Sequence, residues 1–232
     1  EILNAQAIRS NNLANVDTPG FKEDLAQARA MPVFGDTYPT RVYAMTERAG
    51  TDFSAGSLMT TDRDLDVALP NDGFFAVLDR EGKEAYTRSG SFSVDAAGFL
   101  RTPGGEAVLG NGGPINLPPY ESVEIGNDGT ITIRGQGQGP ESLTVVDRIK
   151  LVKPEVTAIE KGQDGLVRRK DGEIENADFQ LRVVKGAVEG SNVDAVEAMM
   201  GIISSSRQFE MQVKMMKTAE ELDAASARIL HF

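Results

Sequence analysis

The sequence predicts a mixed, mainly β fold: an irregular sandwich- or barrel-like middle domain, flanked by N- and C-terminal α-helices that pair. Three patterns predict it. Apolar residues near the N-terminus recur at helical spacing. Short apolar runs bounded by Gly-containing turns fill the middle. A stretch over 191–230, free of proline and broken only by Gly201, closes the chain.

Residues 1–16 read as the tail of a helix, with Ile2, Ala5, Ile8 and Leu13 roughly on one face. It should stop near Asn15, because Thr18 precedes Pro19 and is pushed out of the α region. Pro19-Gly20 suits the central positions of a type II turn. The expected organisation pairs an N-terminal helical segment and start of a connector, 1–30, with a C-terminal helix, 187–232. An extended, partly strand-like connector covers 31–66, and a β-rich outer domain covers 67–186. Within the latter, Phe74–Leu78, Ile115–Leu117, Val123–Ile125, Thr130–Ile133 and Ile149–Val152 read as strands. Asp72-Gly73, Asn111-Gly112-Gly113, Asn127-Asp128-Gly129, Asp164-Gly165 and Asp171-Gly172 read as the turns between them.

In the C-terminal helix Ser191 or Asn192 is the expected cap, with Asp194 in the first turn. Met211, Met215, Thr218, Leu222, Ala225 and Ile229 step by alternating fours and threes, a heptad seam. At 1.5 Å per residue this helix spans roughly 57 Å, against roughly 20 Å for the N-terminal segment. Less than half of the long helix can be covered by the short one. The remaining seam is expected to meet an N-terminal extension of a truncated first helix, the β domain, or another chain.

The 232 residues suffice for one large or two modest domains. A net charge of −11 without a Lys/Arg cluster argues against a nucleic-acid partner. The absence of cysteine removes disulfides, thiol nucleophiles and thiolate metal sites. His231 is the single histidine and lies at the end of the chain, which leaves no His-based triad or metal site. Asp62, Asp64 and Asp66 alternate like a calcium loop, but Val67 stands where the sharp-turn glycine belongs, so a solvated strand face is expected. Gly135-x-Gly137-x-Gly139 runs into Pro140 rather than a helix and reads as a loop, not a dinucleotide site. No catalytic residue, cofactor, metal or small-molecule substrate is expected. Two rival classes stay open: a secreted β-rich adhesin or carbohydrate-binding module, weakened by the absence of tryptophan, and a hydrolase with paired carboxylates.

Four blocks carry a resemblance. Asn12-Leu13-Ala14-Asn15-Val16-Asp17-Thr18-Pro19-Gly20-Phe21-Lys22 is similar to the N-terminal signature of the flagellar rod and hook axial proteins. Asp64 to Val77, Ala85 to Phe92 and Leu100 to Gly110 resemble their following blocks. Glu189-Gly190-Ser191-Asn192-Val193-Asp194, then Met199, Arg207 to Glu210 and Lys217, resemble their C-terminal signature. The middle, from Gly112 to Val152, resembles that of a proximal rod protein more than that of the distal rod or hook proteins. The resemblance implies a torque-transmitting structural subunit of the basal-body rod, crossing the periplasm, exported by the flagellar type III apparatus without a cleaved signal. Other proximal and distal rod subunits, and further copies of itself, are the implied partners. The residues it implies for assembly are Asn12, Leu13, Ala14, Asn15, Thr18, Gly20, Phe21, Ser191, Asn192 and Val193. The seam adds Met211, Met215, Leu222 and Ile229.

Overall fold

The computed structural model describes residues 2–33, 41–70, 72–137 and 142–230, with side chains described throughout except at 27–33, 41–49 and 227–230. His231 and Gly139 therefore lie outside the described residues, as does the side chain of Ile229. The chain divides into two compact units. One comprises Glu1–Ala14, Asp24–Ala49 and Asp194–Phe232, the other Asn15–Glu23 and Gly50–Val193.

The first unit is built on α1 (Ile2–Ala14) and α2 (Ala195–Leu230), with strands β1 (Asp24–Val33) and β2 (Arg41–Thr51) paired in a two-stranded ribbon. The stretch read as a connector from residue 31 thus begins inside this ribbon. α1 ends at Ala14, in front of the turns that run to Gly20. α2 is rich in Ala, Met, Glu, Gln and Lys, all good helix formers. Its cap is Asp194 rather than Ser191 or Asn192: Asp194 Oδ1 accepts from the amides of Val196 (2.8 Å) and Glu197 (3.1 Å). A cap of this kind contributes about 1 kcal/mol. Ser191 and Asn192 are unavailable for it, because their side chains already bind backbone in the second unit. The two helices pair where Arg9 of α1 donates from Nη1 to Gly201 O (2.8 Å) and Ser205 Oγ (2.7 Å). The break in the helical pattern at Gly201 has its reason here, since a β-carbon would lie 2.8 Å from Arg9 Nε.

The second unit is antiparallel β. Strands Ile159–Lys161, Val167–Arg169, Glu84–Thr87, Phe74–Leu78, Ala107–Gly110, Leu100–Arg101 and Ser93–Val94 lie side by side in that order. Gly113–Pro114 adds to Ala107–Gly110, and Leu151–Val152 to Phe74–Leu78. Tyr120–Ile125, Thr130–Gly135 and Leu143–Arg148 form a three-stranded meander. Among the described residues the strand path stays open and closes no barrel. The period-two alternation of Phe74-Phe75-Ala76-Val77 explains the layering. Phe75 and Val77 enter a large core with Phe92, Leu100, Ile125, Ile131 and Ile149, whereas Phe74 and Ala76 enter a smaller one with Tyr86, Leu109 and Val167.

The expected turns at Asn111-Gly112 and Asn127-Asp128-Gly129 are present, the first setting the pairing Gly113 to Gly110. Ile115–Leu117 departs from expectation. It makes a single bridge, Phe99 to Asn116, and contributes by burying Ile115 and Leu117 instead of extending a ladder. Asp66 also departs from the solvated strand face. It is buried and accepts from Thr61 Oγ1 (2.7 Å) and Ser91 Oγ (3.0 Å). Among the described residues no three His, Cys, Asp or Glu side chains are grouped to hold a metal.

Candidate functional site

Residues of the N-terminal, Tyr86 and C-terminal blocks converge inside the second unit on one buried carboxylate, Glu189, which is 1% exposed. The strand Ala187–Glu189 delivers it, paired in register with Leu58–Thr60. Glu189 Oε1 accepts from Lys22 Nζ (2.6 Å) and from the amide of Gly56 (2.9 Å). Arg88 Nε lies 2.7 Å from Oε2. Arg88 also donates from Nη1 to Gly73 O at 2.6 Å, and its guanidinium faces the Phe74 ring 5.8 Å away. Burial pulls the Lys22 ammonium below the ordinary lysine value, and the hydrogen bond to Glu189 works against that pull. Three charges taken out of water hold together only as a set, since removing one leaves the others uncompensated.

The backbone around this cluster is fastened as well. Gly20 N donates to Glu189 O (2.8 Å), and Glu23 N to Asn192 Oδ1 (2.8 Å). Asn192 Nδ2 donates to Asp52 O (2.9 Å). Lys161 adds a further hold. Its ammonium donates to Lys22 O (2.6 Å) and lies 3.8 Å from the centre of the Phe21 ring. The Thr18-Pro19-Gly20-Phe21 turn is the type II turn the sequence predicts: Phe21 N donates to Thr18 O (3.2 Å), and Gly20 has φ +72°. A β-carbon on Gly20 would collide with the Arg88–Ser89 peptide, so glycine is required twice over, by conformation and by close approach. The incoming and outgoing passes of the chain are thereby clasped at one point.

The predicted residues fall into three groups. Asn15, Thr18, Gly20, Phe21, Ser191, Asn192 and Val193 belong to the second unit and line or flank this clasp. Asn12, Leu13 and Ala14 belong to the helical unit. There Asn12 is buried, its Nδ2 donating to Asp24 O (2.9 Å) and its Oδ1 accepting from Asp24 N (3.1 Å). That pair anchors the start of β1 to the end of α1. Met211, Met215 and Leu222 form the third group, on α2, and are 60%, 66% and 64% exposed. Ile229 follows on the same helix.

At 3.6 residues per turn Met200, Met211, Met215 and Leu222 fall within about 60° of one another. The face that meets Arg9, at Gly201 and Ser205, is about a quarter-turn away. The seam is therefore a second face, distinct from the one α1 covers. Met200 and Ile203 begin it and are also exposed, so the apolar stripe runs well over half the length of α2. Monomeric soluble proteins seldom leave such a stripe in water. No helix among the described residues is long and apolar enough to cross a membrane.

Sequence reasoning missed Lys22, Arg88, Lys161 and Glu189 as functional residues. Lys22, Arg88 and Glu189 stand inside the motif blocks, where a charge beside Gly and Phe is the available signal. Lys161 has no such signal, because its partners lie 139 residues away.

Three family models match the chain. Residues 3–22 match the flagella basal body rod protein model. Residues 68–133 match the flagellar hook protein FlgE/F/G D1 domain, and residues 184–229 the flagellar basal body rod FlgEFG protein C-terminal model. The chain is 41% identical to the flagellar basal-body rod protein FlgF of Escherichia coli strain K12, over 95% of this chain and 90% of that protein. It is 39% identical to FlgF of Salmonella typhimurium, over 99% and 94%. The flagellar basal-body rod protein FlgG of Buchnera aphidicola (Schizaphis graminum) is 33% identical over 95% and 93%.

Proposed function

This chain belongs to the FlgF family of flagellar basal-body rod proteins, and from that premise we propose that it is a structural subunit of the proximal rod that carries torque from motor to hook. The observation that carries the reading is the apolar stripe of α2, exposed in the single chain and turned away from α1. Buried against neighbouring helices, each of its large side chains contributes about 1.5–3 kcal/mol of apolar transfer. Repeated along a helix, this makes an interface of the large, obligate kind. The helices supply the contacts between subunits. The partners are other axial proteins of the flagellum, namely proximal and distal rod subunits and further copies of this chain. The subunit reaches the periplasm-spanning rod through the type III export apparatus without a cleaved signal. Its work is packing, and it turns over no substrate.

The test is genetic. Deleting the gene abolishes swimming and leaves basal bodies without a complete rod, and the intact gene restores both. Normal swimming in the deletion strain contradicts the reading.

A further inference from the structure

Five of the eight methionines, Met199, Met200, Met211, Met215 and Met216, lie within eighteen positions of α2. Their exposures are 49%, 62%, 60%, 66% and 65%. Three of them, Met200, Met211 and Met215, lie in the stripe proposed above as the contact with neighbouring subunits. Thioether oxidation needs access to sulfur, and most methionines in folded proteins are shielded in cores. Here the access and the assembly surface coincide. We infer that the unassembled subunit carries an oxidation site on α2, at Met200, Met211 and Met215, at which hydroperoxides convert the assembly stripe from apolar to polar. This rests on the reading of that stripe as an interface.

The chemistry balances with the peroxide as oxidant. The thioether sulfur attacks one peroxide oxygen, the O–O bond breaks, and an S–O bond forms. Sulfur loses two electrons, the hydroperoxide gains them, and water leaves from hydrogen peroxide or an alcohol from an organic hydroperoxide. The product sulfoxide carries a strong dipole that needs hydrogen-bonding partners, so burying it against an apolar helix is unfavourable. Methionine sulfoxide reductases reverse the change. The side chains at Ile203 and Leu222 in the same stripe are inert, so the effect is confined to the methionines. Once the stripe is covered by a neighbour the sulfurs are shielded, which restricts the modification to subunits not yet in place.

The experiment has two arms. The purified full chain is treated with hydrogen peroxide and mapped by peptide mass spectrometry. Met200, Met211 and Met215 are expected to oxidise at the rate of free methionine; resistance at these positions overturns the inference. Cells are then pulsed with hydrogen peroxide during rod assembly, and the subunit is counted in isolated basal bodies. Wild type is expected to fall about a hundredfold or more, since two or three buried thioethers each lose their apolar transfer. A Met200→Leu, Met211→Leu, Met215→Leu variant, whose stripe has no oxidisable sulfur, is compared with its own untreated level and is expected to show no fall on peroxide treatment. Equal loss of the leucine variant, or no loss of wild type, overturns the inference. Absence of wild type from basal bodies without peroxide would instead overturn the rod reading itself.

Discussion

The clasp around Glu189 and the stripe on α2 treat their residues in opposite ways. In the clasp, charged side chains that favour water are buried at 1–8% exposure, and each is met by a partner in the same unit. Along α2, side chains that favour an apolar interior stand in solvent. The first region is held within one unit, because the buried Lys22 and Arg88 both meet the Glu189 carboxylate there. The second leaves its apolar side chains exposed among the described residues. Under the proposed function this contrast is a division of labour: the β unit holds shape and the long helix supplies adhesion.

The contrast can be broken most strongly in the clasp. Glu189→Ala leaves Lys22 and Arg88 buried without their carboxylate and is expected to cost about 3–5 kcal/mol, read as a lower urea midpoint of the β unit. Glu189→Gln keeps the acceptor and the shape, and is expected to cost less. Gly20→Ala is next, at about 1–3 kcal/mol, because alanine is strained at φ +72° and its methyl meets the Arg88–Ser89 peptide. Smaller still is an alkaline effect in the same unit. Burial pushes the Tyr86 phenol up to about 12 from its ordinary value of 10. Its hydroxyl accepts from Glu175 N at 2.8 Å. Between those values the unfolded chain has lost a proton that the folded chain keeps. The stabilisation is thus full below pH 10 and declines as pH rises towards 12. Tyr86→Phe is expected to remove that decline from a plot of urea midpoint against pH. A wild-type midpoint that is flat over this range would contradict the assignment.

Local chemistry made parts of both regions legible from sequence. Pro19-Gly20 dictates its turn wherever the chain runs next, and Asn111-Gly112 closes its hairpin for the same reason. The α2 seam was visible in its spacing, and the mismatch in helix length indicated that much of it would stay uncovered by α1. What stayed hidden depends on distant partners. Lys22 meets Glu189 across 167 residues, a pairing that no periodicity records. Asp66 read as solvated because alternating acids usually are, and only the arrival of Ser91 turns it into a buried acceptor. The helix cap moved from Ser191 or Asn192 to Asp194 because Asn192 is engaged by Glu23 and Asp52. The fold class rests on patterns that repeat, and repetition can be read. The clasp is a single event in three dimensions.

The central claim is that the α2 stripe is adhesive and contributes nothing to the stability of the single chain. The measurement that tests it is the amount of a Met211→Asp, Met215→Asp variant in isolated basal bodies, taken beside its urea midpoint. The account predicts a stability, from that midpoint, within about 1 kcal/mol of wild type, as for two exposed substitutions, together with loss of the subunit from the rod. Incorporation at the wild-type level with an unchanged midpoint would contradict it.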